Sequence, residues 1–392
     1  MRVRNGVITA ILAAALVTSV PTSSHADEEK CVLCHSQVAV EHRTSAHAFE
    51  DMGCVSCHGG DPAATVVDEA HEPPFVGIVQ RADIPGFCGE CHADPLRMAD
   101  FGLPADQLAL YQISGHGREL ATGNLDVAVC TDCHGLHDVQ RADAPDSPTH
   151  PRNIPQTCGT CHDAAGPGID VLAAYKGSIH DEALQEANPR APSCVGCHSS
   201  HGAAPPGSGT VDRVCGQCHV QARAAFRQSP HSNAMVAAGE AECAACHGSH
   251  AVVATSHDMW SDTCSECHED DSRALATATR IVTLMQQTEA EMVVARASIE
   301  RARGVPLDVR DYETRMEMAG TFIEEARPRT HSLDPDAVEE LTRKARSIAR
   351  QVESGVAGEL HVIEGRSLEV VFIWLYILIT VAALQLYRRS LR

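Results

Sequence analysis

Each of the chain's eighteen cysteines falls in a Cys-x-x-Cys-His motif, and none is left over. The nine motifs are Cys31, Cys34 and His35; Cys54, Cys57 and His58; Cys88, Cys91 and His92; Cys130, Cys133 and His134; Cys158, Cys161 and His162; Cys194, Cys197 and His198; Cys215, Cys218 and His219; Cys243, Cys246 and His247; and Cys264, Cys267 and His268. This spacing suits the attachment of c-type haem. Two thiols add to the porphyrin vinyl groups, and the adjoining imidazole is placed under the iron. Zinc sites also use paired Cys-x-x-Cys units, but nothing in zinc chemistry demands a histidine directly after every pair. A disulfide framework likewise leaves nine histidines without a reason. The motif predicts nine covalently attached haem c groups, held by these eighteen thiols and nine proximal histidines.

Composition agrees with that expectation. Of 392 residues 44% are hydrophobic but only 4% aromatic, so the large side chains that usually fill a core are scarce. Nine porphyrins would supply the missing flat apolar mass. The formal charge of −21, with lysine only at Lys30, Lys176 and Lys344, excludes a general nucleic-acid binder, which needs clustered cations.

A second histidine pattern concerns the opposite face of each iron. Four segments read Ser-x-His, ending at His47, His116, His180 and His231, and each is followed by two motifs. Three of the first motifs in these units carry another histidine three residues on, at His137, His201 and His250, while Asp61 stands at that place in the first unit. The order Ser-x-His, Cys-x-x-Cys-His-x-x-His, Cys-x-x-Cys-His therefore recurs four times, with Cys31–His35 as an extra motif in front. These seven patterned histidines are candidate distal ligands. His42, His71, His150 and His257 compete for the two remaining places, and His71 and His150 join the candidate set. His331 and His361, in the tail, are set aside. The supply favours two histidines on every iron.

The repeated unit resembles the doubled-motif multihaem c cytochromes, which include periplasmic tetrahaem carriers and decahaem conduits, over about residues 31–268. The resemblance implies closely packed haems wrapped by loops and short helices, passing electrons along the array. The odd front motif and the tail depart from those conduits, so neither their partners nor their direction of flow carries over.

Both ends read as addresses. Residues 1–26 have Arg2 and Arg4, a short apolar run and Ala26 at the expected cut, the pattern of a secretory signal. Val370 to Tyr387 is apolar except for Thr380 and Gln385 and is followed by Arg388, Arg389 and Arg392. A single transmembrane helix over 367–387 with a cytoplasmic tail at 388–392 is expected. Between the ends, residues 27–271 carry 35 acids and 12 bases, whereas 272–392 carry 17 of each, and the cysteines stop at the same boundary. Residues 27–271 are thus expected to form a nonahaem domain and 272–366 a helical stalk or bundle.

The stalk is expected to hold three helices. One spans 273–304, with Ala278, Ile281, Met285, Met292, Ala295 and Ile299 on a seam, and one about 311–326, with Met316, Ala319, Phe322 and Ile323 inward. The third starts at Asp334-Pro335, has Val338, Leu341, Ala345, Ile348 and Val352 on its seam, and runs with a loosening near Gly355 and Gly358 into the membrane helix. This tail could mediate self-association. His361, Glu364 and Glu369 read as juxtamembrane surface rather than quinol proton acceptors. Tyr111, Tyr175 and Phe226 occupy matching places before the repeat serines and read as packing against haem. No phosphate-binding loop, nucleophile elbow or His-Glu-x-x-His motif occurs.

The expected fold class is a multihaem cytochrome c: mostly loops and short α-helices wrapped around nine haems, then a helical bundle and one transmembrane helix. The expected function is a membrane-anchored electron carrier on the periplasmic side of the inner membrane. Its expected partners are an inner-membrane quinol-oxidising or b-type cytochrome subunit and a periplasmic redox protein. The alternative is a multihaem reductase or oxidase of a small nitrogen or sulfur compound, with Cys31–His35 as the candidate open site.

Overall fold

The computed structural model describes residues 29–163, 170–207, 209–269 and 272–391. The expected secretory leader, 1–26, lies outside the described residues. Among the described residues the regular structure is helical, and no strand occurs.

The chain divides into two compact units, Met1–Lys176 with His180–Pro205, and Gly177–Ile179 with Pro206–Arg392. This boundary differs from the change in charge and cysteine content at 271/272, because the last three motifs belong with the long helices. Within that second unit the helix Val220–Phe226 packs on the helix Arg310–Arg329, and Met259–Ser265 packs on Arg273–Ala302. Trp260 lies against the bundle's apolar core.

In the first unit the α-helices are only four to nine residues long. The motifs occupy two local settings. Cys54–His58, Cys130–His134 and Cys194–His198 are one-turn helices entered from an extended residue, so the first thiol opens the turn and the histidine closes it. The residue after each has positive φ, at Gly59 (62°), Gly135 (84°) and Ser199 (69°), which ends the helix and turns the chain. At Gly59 a Cβ would also come within 2.5 Å of the Pro74 carbonyl oxygen, so a side chain is excluded on two counts. By contrast Cys88–His92 lies at the end of the helix Ile84–His92, which has proline in its first turn.

Ser-x-His is a helix start. Ser45 Oγ accepts from the Ala48 N–H and Ser114 Oγ from the Gly117 N–H, each at 3.0 Å, capping the helices Ala46–Phe49 and Gly115–Ala121. Both serines are fully buried. The cap fixes the first turn and so fixes where the next residue but one, His47 or His116, points.

The second unit contains three long helices, Arg273–Ala302, Arg310–Arg329 and Pro335–Ser390. The Arg280 guanidinium bonds Asp336 and Glu339, and Glu291 accepts from Arg346 and Arg350, so the first and third helices run parallel. Arg315 donates to Gln351 and Tyr312 to Glu359, which makes the second helix antiparallel to the third. The seams predicted from periodicity face one another. Ala278, Ile281, Met285, Met292, Ala295, Ile299, Met316, Ala319, Ile323, Val338, Ala345 and Val352 are buried, with Phe322, Leu341 and Ile348 partly so.

Two expectations change here. The second helix continues through Pro328 to Arg329, since proline loses only one hydrogen bond when it stands in a last turn. The third helix shows no interruption at Gly355 or Gly358. Gly355 serves packing instead, because a Cβ there would come within 2.9 Å of the Tyr312 ring. The third helix begins at the predicted cap, where Asp334 Oδ1 accepts from the Asp336 and Ala337 N–H groups. Its C-terminal part is long and apolar enough to cross a membrane, and the side chains of Val370, Phe372, Trp374, Leu378 and Leu386 are exposed.

Candidate functional site

Among the described residues, seven motif histidines can be seen to face a second histidine ring. In the first unit the pairs are His35 with His71 (centroids 6.3 Å apart), His47 with His92 (6.1 Å), His58 with His137 (6.4 Å), His116 with His162 (6.0 Å) and His134 with His201 (6.0 Å). In the second unit they are His231 with His268 (5.9 Å) and His247 with His331 (6.0 Å). Imidazoles stacked directly on each other would lie much closer. A metal held between two imidazole nitrogens at about 2.0–2.1 Å, with each ring centre about 1.1 Å behind its nitrogen, separates the centres by about 6.3 Å. These separations therefore fit one iron per pair.

The pairing follows the repeat. A Ser-x-His histidine serves the second motif of its own unit: His47 faces His92, His116 faces His162, and His231 faces His268. The histidine three residues past a first motif faces the first motif of the preceding unit: His137 meets His58, and His201 meets His134. His180 and His250 hold the corresponding repeat positions in the third and fourth units. The front motif follows the second rule with one substitution. Where Asp61 replaces the expected histidine, His71 faces His35 and also packs on Phe75 at 4.4 Å.

Burial lowers the affinity of these rings for protons. His47, His92, His116, His134, His137, His201, His231, His247 and His331 are all held below the usual imidazole value, chiefly by desolvation. A neutral imidazole keeps the lone pair that ligates a metal.

The thiols show that successive motifs adjoin. Cys31 lies beside Cys54, Cys88 beside Cys130, Cys158 beside Cys194, and Cys215 beside Cys243. In alternation, Cys57 neighbours Cys88 and Cys91, Cys133 neighbours Cys158 and Cys161, and Cys246 neighbours Cys264 and Cys267. Within each unit the motifs are therefore spatial neighbours in chain order. No two of the eighteen cysteines are joined in a disulfide. Among the described residues one group, Glu29 with Cys31 and Cys54, has the closeness of a metal site. It offers three ligands where zinc takes four, and Glu29 Oε2 already accepts the Cys54 and Val55 N–H groups at 2.8 and 3.3 Å as a helix cap. Burial, reinforced by the Glu29 contact, pushes the Cys54 thiol up to about 12.

Two of the sequence candidates lie elsewhere. His150 accepts the Arg152 N–H through Nδ1 and enters no ring pair among the described residues. His257 Nε2 lies 3.0 Å from Glu289 Oε2. His198 places Nδ1 3.1 Å from the Ala204 carbonyl, the kind of second contact that orients a ligating ring. Tyr111 and Tyr175 use their hydroxyls, which donate to the Ala128 and Pro192 carbonyls at 2.9 and 2.8 Å. Each acceptor stands two residues before the first thiol of a motif, so the tyrosine ties the repeat helix to that motif. Phe226 keeps the ring without the tether.

No family model and no curated protein matches this chain.

His331 was not anticipated from the sequence. It lies beyond the last cysteine, where the second pairing rule offered the only signal: the first motif of the fourth unit has no fifth unit behind it to supply a partner.

Proposed function

We propose that the chain is a membrane-anchored multihaem c-type cytochrome that carries electrons on the periplasmic side of the inner membrane. The observation that carries the reading is the set of seven paired imidazoles at iron-spanning separation, each with one member from a Cys-x-x-Cys-His motif. When bound, each haem would supply a one-electron iron couple. The chain's own residues bind and enclose it. The paired thiols would anchor the ring covalently, and the motif histidine and the histidine facing it would both hold its iron, keeping water and small substrates away.

The reductase or oxidase reading needs an open axial position, for which the front motif was the candidate. His71 stands opposite His35 at 6.3 Å, which favours the carrier. The apolar end of the third long helix supports a single C-terminal anchor. From Pro335 to Val370 that helix rises about 50 Å at 1.5 Å per residue. The electron-exchanging partner, a quinol-oxidising or b-type cytochrome subunit, would therefore present its redox centre well clear of the bilayer. The acidity of residues 27–271 favours a docking face that binds cations and weakens with salt.

The test is carbon monoxide binding to the reduced, haem-loaded protein, alongside a haem count per chain. About nine haems with no carbon monoxide adduct supports the carrier; a stoichiometric adduct at one haem supports the enzyme.

A further inference from the structure

We infer that His331, in the helical tail, is the distal iron ligand of the haem attached at Cys243 and Cys246, opposite His247. This inference rests on the haem reading above and extends it to a segment that carries no cysteine and lies outside the repeats.

Three observations converge on it. First, the ring centroids of His247 and His331 are 6.0 Å apart, within the 5.9–6.4 Å range of the other six pairs. Second, the repeat rule leaves this motif short. His58 and His134 each face a histidine from the following unit, and the fourth unit is the last. Third, His331 is built as a held ligand. Its Nδ1 lies 3.1 Å from the Pro328 carbonyl, so an Nδ1–H donated there leaves the lone pair on Nε2. The turn that carries it, Thr330–Ser332, joins the second and third long helices. On either side of His331, Thr330 Oγ1 donates to the Arg327 carbonyl at 2.7 Å and Ser332 Oγ to the Arg329 carbonyl at 2.8 Å. Both flanking residues are buried, and Leu333 ends the turn with φ 54°. The helix Val220–Phe226, directly after His219, packs on the same turn.

The consequence is mechanical. The helix leading to the membrane begins at Pro335, four residues past His331, so one iron would be tied directly to the start of the stalk. The tail would then be part of the haem-binding structure rather than a detachable anchor.

The experiment compares full-length, haem-loaded wild type with His331→Ala, His331→Met and, as a control, His361→Ala. Haem per chain, low-temperature EPR and carbon monoxide binding are read for each. His331→Ala is expected to keep all nine covalent haems, convert one of nine from low to high spin and bind one carbon monoxide, with free imidazole restoring the low-spin signal. His331→Met is expected to stay six-coordinate and raise the potential of one haem, because methionine ligation raises it. His361→Ala should match wild type. An unchanged His331→Ala spectrum overturns the inference. If that variant does not fold, His331→Met decides, and a potential profile identical to wild type overturns it. Wild type lacking haem would instead sink the functional reading itself.

Discussion

The first compact unit and the long-helix bundle of the second solve the burial problem in opposite ways. In the bundle, Ile281, Ala295, Ala302, Ala319, Ala326, Val338, Ala345, Val352 and Val356 are all essentially inaccessible, and protein atoms fill the space between the helices. In the first unit the buried apolar side chains among the described residues are few, Ala39, Ala48, Met98, Val129, Tyr175 and Leu184, while Ile78 and Leu96 are 93% and 83% exposed. Short helices there are organised by caps, tethers and histidine pairs. So small an apolar core leaves an interior that the proposed haems would fill. The bundle is a folding unit in the ordinary sense, whereas the motif region would, on the proposed function, take its interior from bound haem.

That contrast breaks most sharply at the thiols. Cys130→Ser with Cys133→Ser is expected to remove one haem and destabilise much of the first unit, because Cys130 adjoins Cys88 and Cys133 adjoins Cys158. Haem quantification with thermal unfolding checks it, and a cooperative transition unchanged from wild type would erase the distinction between the regions. In the bundle, Ile281→Ala should cost about 2–5 kcal/mol by cavity formation and leave the haem spectrum untouched, read by thermal melting with the Soret band as control.

Smaller effects sharpen the picture. Gly355→Ala should cost about 1–3 kcal/mol by overpacking, since the new Cβ meets the Tyr312 ring, and calorimetry should show it. Tyr312→Phe loses the 2.7 Å bond to Glu359 and should cost about 1 kcal/mol, measured by denaturant titration. Glu291→Gln should cost under about 1 kcal/mol at neutral pH. The Arg350 and Arg346 contacts hold the Glu291 carboxyl below the ordinary range. Its stabilisation is therefore complete above the unfolded carboxylate value and fades as pH falls through the lower folded value. The wild-type and variant melting curves should converge in acid.

The legible and illegible parts divide along physical lines. The bundle seams could be read because helical periodicity is local, and the Asp334-Pro335 start because a cap is local too. The motifs could be read because they fix three residues, two cysteines and a histidine, within five positions. The partners could not, since which histidine faces a motif is set by tertiary approach: His137 skips back past two motifs to His58. His71 and His150 were indistinguishable as isolated histidines, and only the fold put one opposite His35 and the other on the Arg152 amide. His331 escaped because charge and cysteine content change at 271/272, whereas compact packing joins the last motifs to the tail.

The central claim, that paired imidazoles each grip an iron, is tested most directly by low-temperature EPR of the oxidised full-length protein with haem counted per chain. About nine haems, all low-spin, is the predicted result. A high-spin signal from the irons of the seven pairs, or a protein that purifies without haem, would contradict it.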